Sequence, residues 1–160
     1  MADALLVFNA GSTSLKFAAY EIDEARALSL NASGGVEAIA STPRFVVQDA
    51  AGQELAAHAW PTGRPIDHDE ALRFALTWLQ GHLAGARIVG AGHRMMLGGP
   101  RYAGPVRLDT QVLKTLAAQS AMEPSHQPFN VRGARAVAAL MPGTAATVRC
   151  AFRTCDTSIR

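Results

Sequence analysis

Residues 9–16, Asn-Ala-Gly-Ser-Thr-Ser-Leu-Lys, gather a carboxamide, a glycine, three hydroxyls and an ammonium into one short segment. Asn9, the backbone N–H groups around Gly11, the hydroxyls of Ser12, Thr13 and Ser14 and the Lys16 ammonium are the parts that hold a nucleotide's terminal phosphates and their magnesium ion. The flanking runs, residues 5–8 and 15–20, are apolar and strand-like, so the segment reads as a hairpin tip. That excludes the P-loop, which requires Gly, four spacers, Gly-Lys-Ser/Thr and a following helix. The same residues also make an ordinary Asn/Gly/Ser hairpin turn with Lys16 as a solvated edge residue.

Two further segments carry chemistry-bearing side chains. In Gly92-His93-Arg94-Met95-Met96-Leu97-Gly98-Gly99 a strand ends in a charged pair and a Gly-Gly turn. Strand ends of α/β sheets open onto ligand crevices, and an Arg there grips a carboxylate or phosphate through two parallel N–H donors. A solvated surface Arg beside a turn is the plain alternative. In Met122-Glu123-Pro124-Ser125-His126-Gln127-Pro128 two prolines bracket His126, stiffening a loop whose imidazole can donate to a developing anion. A loop His without a role fits that segment equally simply.

The elements that must position these groups follow from periodicity. The first half reads as strands: after Tyr20 come residues 27–30, a turn at Ser33-Gly34-Gly35 and a weak strand over 36–40. Residues 44–49 and 54–59 flank Ala50-Ala51-Gly52-Gln53, a hairpin signature. Residues 67–83 form the clearest helix, with Leu72, Ala75, Leu76, Leu79 and Leu83 at three- and four-residue steps and acidic residues at its start. A short buried strand covers 87–91 and a second helix about 110–120. A third helix runs from Asn130, its expected N-cap, to Met141, where Pro142-Gly143 stops it. Residues 147–152 are strand-like. Antiparallel strands followed by alternating helices and strands predict an α/β architecture with a mixed sheet.

Composition bounds the function. With 49% hydrophobic and 18% charged residues the 160-residue chain has material for one core. A net charge of +2 with scattered basic residues argues against nucleic acid as a partner. No apolar run approaches the length of a membrane span. Cys150 and Cys155 form neither a disulfide framework nor a four-ligand zinc site, and the five histidines are too dispersed to complete one. A cytoplasmic location is the expectation.

Taken together, the three segments closely resemble the acetate kinase family over about residues 5–152. That family opens with a strand and Asn-Ala-Gly-Ser-Ser-Ser-Leu-Lys-Phe, against Asn9-Ala10-Gly11-Ser12-Thr13-Ser14-Leu15-Lys16-Phe17 here. Gly-His-Arg-Val-Val-His-Gly-Gly is matched by residues 92–99, and Leu-Ala-Pro-Leu-His-Asn-Pro by residues 122–128, with Asn130 following. The resemblance implies a ribonuclease H-like (actin-like ATPase) fold, with a mixed sheet and flanking helices. It implies Mg²⁺-dependent phosphoryl transfer between ATP and acetate, giving acetyl phosphate and ADP. Carried over by position, Asn9 would help place Mg²⁺, and Gly11, Ser12, Ser14 and Lys16 would contact the ATP phosphates. Arg94 would bind the acetate carboxylate and the transferring phosphoryl group, and His126 would line that pocket. The family is homodimeric, and propionate or another short-chain carboxylate is a close variant of the substrate.

Three departures qualify these expectations. The family's Val-Phe-Asp-Thr-Ala-Phe-His meets Ala151-Phe152-Arg153-Thr154-Cys155-Asp156-Thr157, so Arg153 stands where the catalytic or metal-organising Asp belongs. That reverses the charge beside the metal, and only a local gap brings Asp156 into register. Leu97 replaces the family's second His. The chain is expected to be one N-terminal domain, residues 1–160, incomplete at its end and without the second family domain, as after truncation or a frameshift. A catalytically inert fragment with weak phosphate binding is therefore the competing expectation.

Overall fold

The computed structural model describes residues 2–102 and 104–152. Alternation of side chains sets the first half. In β1 (Asp3–Ala10), Ala4, Leu6, Phe8 and Ala10 are buried while the residues between them are not. That period of two is the mark of a strand with one covered face. β2 (Leu15–Ile22), β3 (Leu28–Glu37), β4 (Arg44–Gln48) and β5 (Glu54–Ala59) continue an antiparallel meander from it.

The chain then crosses over. α1 (His68–His82) leads to β6 (Arg87–Leu97), which pairs parallel with β1. β7 (Val106–Arg107), α2 (Thr110–Ala117) and α3 (Gln127–Leu140) precede β8 (Ala145–Phe152), which pairs parallel with β6. Parallel pairing demands such long crossovers, and the helices supply them. The result is one eight-stranded mixed sheet in the order β5-β4-β3-β2-β1-β6-β8-β7.

The helices cover one face. α1 is capped by Asp67, whose carboxylate accepts from Glu70 N–H at 2.8 Å, and it buries Ala71, Leu72, Ala75, Leu76 and Leu79. It lies over β2 and β3 and packs Trp78 and Phe74 against Phe45. α3 lies over β1 and β6. A second, smaller cluster joins Met95 and Val148 of the sheet to Val112 and Leu116 of α2 and Val131 and Ala134 of α3. The opposite face of β1, β6 and β8 carries Val7, Arg94, Thr147 and Arg149, all exposed.

Four expectations are corrected. Gly34 and Gly35 form no turn; they lie within β3, opposite Val47 and Val46 of β4 and opposite Phe17 and Lys16 of β2. A Cβ on Gly34 would sit 2.2 Å from the Val46 carbonyl oxygen, and one on Gly35 would sit 2.2 Å from that of Leu15. The glycines are there for close backbone approach, a role that sequence alone confuses with a turn. β6 does not stop at residue 91 but runs to Leu97, because His93, Met95 and Leu97 alternate onto the covered face. α3 begins three residues before Asn130: Pro128 needs no N–H in a first turn, and Asn130 N–H already donates to His126 C=O at 3.0 Å. α2 ends at Ala117, with a turn rather than helix over 118–120.

Gly35→Ala should lower the unfolding free energy by about 1–3 kcal/mol, since backbone rather than a flexible side chain must move. Urea denaturation checks this; an unchanged midpoint would mean that the two strands separate without cost.

Candidate functional site

The hairpin tip is a shaped loop, held from three sides. Gly11 N–H donates to Ser14 C=O at 2.8 Å and closes the turn, so this N–H is committed within the loop. Ile39 N–H, just beyond β3, donates to Thr13 C=O at 3.0 Å. The His68 ring, at the start of α1, lies 2.7 Å through Nε2 from Gly11 C=O. A carbonyl only accepts, so that nitrogen carries the proton. From α3, Asn130 Nδ2 donates to Ala10 C=O. Ser12 and Thr13 remain exposed at the tip, and their N–H groups take no backbone carbonyl among the described residues.

Asn130 also links the two parallel strands. Its Oδ1 accepts from Met96 N–H at 3.1 Å while its amide reaches the end of β1. One turn earlier, fully buried Gln127 accepts from Leu97 N–H and donates to the carbonyls of Leu97 and Leu116, each at 3.0 Å. These amides complete the hydrogen bonding of backbone at the ends of β1 and β6. Buried backbone groups left unpaired would be costly, so the two side chains set where both strands end. Arg132 ties α3 to α1 through two bonds to Asp69, at 2.9 and 2.7 Å, which hold the Asp69 carboxyl below its usual range.

On the open face the register brings three of the expected residues onto neighbouring strands. Asn9 of β1 pairs directly with Lys16 of β2. Phe8 pairs with His93 of β6, which places Arg94 one step further, beside Asn9. Arg94 in turn pairs with Arg149 of β8. Lys16, Asn9, Arg94 and Arg149 thus form a row across four strands. Lys16 Nζ lies 3.8 Å from Glu37 Oε1, but both ends are exposed and the attraction is screened. A cavity of about 370 Å³ is lined by Val7, Gly92, Thr147 and Cys150 with His93, Arg94 and Arg149. Lys16 lines a separate depression of about 420 Å³ over Gly34 and Gly35.

The remaining expected residues lie elsewhere. His126 is the N-cap residue of α3, half-exposed, with Nδ1 3.0 Å from Glu123 Oε1; it is not among the residues lining the Arg94 cavity. Arg153 and Asp156 lie outside the described residues. His93, beside Arg94 in sequence, faces the covered side, stacked on Phe8 at 5.7 Å between ring centres. Its Nε2 has no hydrogen-bond partner among the described residues, and burial pulls its pKa down to about 4. His68, Asn130 as a linker, and Arg149 are the residues that sequence reasoning missed. For Arg149 the signal was present, since Thr147 and Arg149 alternate with Val148 as an open face must.

Residues 4–157 match the Acetokinase family model. The chain belongs to the acetokinase family. It is 36% identical over 143 residues to an acetate kinase of Rhodopseudomonas palustris (strain TIE-1), covering 89% of this chain and 35% of that protein. It is also 36% identical over 140 residues to an acetate kinase of Rhizobium meliloti, again covering 35% of that protein. The chain therefore spans about a third of the length of the curated relatives it matches. Among solved structures, Porphyromonas gingivalis acetate kinase superposes with a TM-score of 0.77 at 24% identity, over 92% of this chain and 37% of that one. A propionate kinase from Francisella tularensis subsp. tularensis SCHU S4 gives 0.76 at 23%. The acetokinase chain thus has the actin-like ATPase fold expected from its motifs, a mixed sheet with flanking helices. No described helix is long and apolar enough to cross a membrane.

Two outcomes follow from this geometry. Asn130→Ala leaves Met96 N–H and Ala10 C=O without their partner and should cost about 2–4 kcal/mol. Amide exchange at residues 10–14 should rise with it; destabilisation without faster exchange there would separate Asn130 from the loop. His93, ordinarily near 6.5 and here about 4, takes up its proton in the unfolded chain first. Its contribution is complete above pH 6.5 and is lost as the pH falls toward 4, by about 3 kcal/mol. His93→Phe should flatten that acid limb in denaturation curves measured across the window.

Proposed function

We propose that the chain takes part in phosphoryl transfer between ATP and a short-chain carboxylate, acetate or propionate, as the names of its relatives suggest. The observation that carries this reading is the row Lys16–Asn9–Arg94 across β2, β1 and β6, beside the hydroxyl-rich loop tip. Arg94 presents a planar fork that matches the carboxylate or the migrating phosphoryl group. Lys16 and the tip at Ser12 and Ser14 suit the more distal phosphates of the nucleotide; with Gly11 N–H engaged by Ser14, the contact at Gly11 comes through close backbone approach rather than through that donor.

The chemistry asks little more of the protein than placement and charge. A carboxylate oxygen attacks the γ-phosphorus, the new O–P bond forms as the bond to the β-bridging oxygen breaks, and ADP departs with the electron pair. An acetate carboxylate is already ionised at neutral pH, so no general base is needed. His126, which the family resemblance places on the substrate side, sits at the N-terminal end of the helix that carries Asn130, paired with Glu123 and outside the lining of the Arg94 cavity.

Magnesium is the cofactor that the family implies, with Asn9 as its expected contact. Among the described residues Asn9 offers a neutral carboxamide between the cations Lys16 and Arg94, and the Glu37 carboxylate lies against Lys16. No group of three or more His, Cys, Asp or Glu is arranged to hold a metal there. Protein-held Mg²⁺ is bound through carboxylates together with substrate phosphates, so these residues alone do not fit the ion, and no step is routed through it.

A second reading, a domain that binds phosphate without turnover, is favoured by one observation: the charged side chains along the row from Lys16 to Arg149 are cations, which hold an anion without themselves activating it. Trapping acetyl phosphate as the hydroxamate, with ATP, Mg²⁺ and acetate, separates the two. Under the kinase reading Arg94→Ala should reduce turnover about 100-fold or more, and Lys16→Ala should raise the KM for ATP. No hydroxamate from the folded chain would leave the inert reading standing.

A further inference from the structure

The row on the open face ends in a feature that the family reading does not use. Arg94 of β6 and Arg149 of β8 are directly paired residues of adjacent parallel strands, exposed on the same face. Like charges placed directly opposite one another on a sheet repel. Neither guanidinium has a carboxylate within ion-pairing distance among the described residues. Both line the same cavity of about 370 Å³, together with Val7, Gly92, His93, Thr147 and Cys150. Two cations that find no carboxylate among the described residues and line one concave surface make a site suited to an anion.

We infer that Arg149 is a second anion-binding residue, and that with Arg94 it holds a dianionic tetrahedral oxyanion of the phosphate class, without a metal ion. The inference rests on the reading of Arg94 as an anion-binding residue. Charge and valence choose the ligand. Two guanidiniums carry two positive charges and offer two forks of parallel N–H donors. A carboxylate has one charge and two oxygens, enough for one fork. A phosphate dianion has two charges and enough acceptor oxygens for both. Thr147, two residues before Arg149 on the same face, adds a hydroxyl to the lining. With Lys16 further along the row, the local field favours an anion and opposes a free divalent cation, which is why the described residues do not fit magnesium.

The test is direct binding rather than turnover. Inorganic phosphate is titrated calorimetrically into the full chain in EDTA, beside Arg149→Gln, Arg149→Lys and, as a control at the far end of the sheet, Arg26→Gln. The expected result is one saturable site, weakened at least tenfold by Arg149→Gln and less by Arg149→Lys, which keeps the charge but loses the fork. Acetate should bind more weakly than phosphate. Affinity unchanged by Arg149→Gln, a loss no larger than that of Arg26→Gln, or binding that requires Mg²⁺ would each overturn the inference. Should Arg149→Gln not fold, the Arg149 Nε–H resonance of the unaltered chain decides: a saturable shift on adding phosphate supports the site, and an unmoved resonance overturns it. Failure of the hydroxamate assay with phosphate binding intact removes the kinase reading alone. Hydroxamate formation with phosphate binding indifferent to Arg149 removes this inference alone.

Discussion

The structure depends on how two parallel strands are tied together where their mutual ladder stops. β1 and β6 carry the loop tip and Arg94, and their pairing with each other ends at Phe8 and His93 although β6 runs on beside β8 to Leu97. Side-chain amides of α3 supply partners past that point: Asn130 spans from Ala10 C=O to Met96 N–H, and Gln127 takes both polar groups of Leu97. Neither amide can relax into water, since both are buried. A buried network that is fully satisfied fixes one geometry, whereas a partly satisfied one would be costly. The loop tip therefore inherits its position from a helix more than a hundred residues away in sequence.

The same strands divide their side chains between two environments, and that division makes the site. His93 and Met95 are buried on the covered face, so the backbone on both sides of Arg94 is locked by packing while its guanidinium meets solvent. His93 is kept neutral by burial on a face where a charge would be unsolvated. Arg94 and Arg149 keep their charges on the face where an anion can reach them. A site built on rigid strands holds its donors more closely than a loop could.

How much of this could be read in advance varies by element. The hairpin around residues 9–16 was legible because both flanks are apolar and the tip is polar. α1 was legible from its leucine spacing and its acidic start. Gly34 and Gly35 misled because the glycine that permits a turn is also the glycine that permits backbone approach, and only the neighbouring strand tells them apart. The length of β6 was hidden by His93 and Arg94, whose charge capacity suggests a strand end although their alternation continues the strand. Asn130 was legible as a helix-associated residue, but not as a link between strands. Its partners lie on β1 and β6, and no local pattern announces a contact across that distance. For Arg149 the alternation with Val148 marks an open face, but its pairing with Arg94 comes only from the register of β6 and β8.

Charge along the row also explains why a simple hairpin tip is an insufficient description of residues 9–16. Lys16 alone, exposed and facing Glu37, would be an ordinary solvated cation. Its pairing with Asn9, the neighbouring Arg94 and the further pairing of Arg94 with Arg149 convert isolated cations into a continuous field across four strands. Such a field raises the local concentration of anions before any contact forms, and its strength falls with ionic strength as the screening length shortens. A sheet that tolerates this repulsion on one face while its other face is closed by an uncharged core has its cations set for a ligand, because nothing in the packing of the core requires them there.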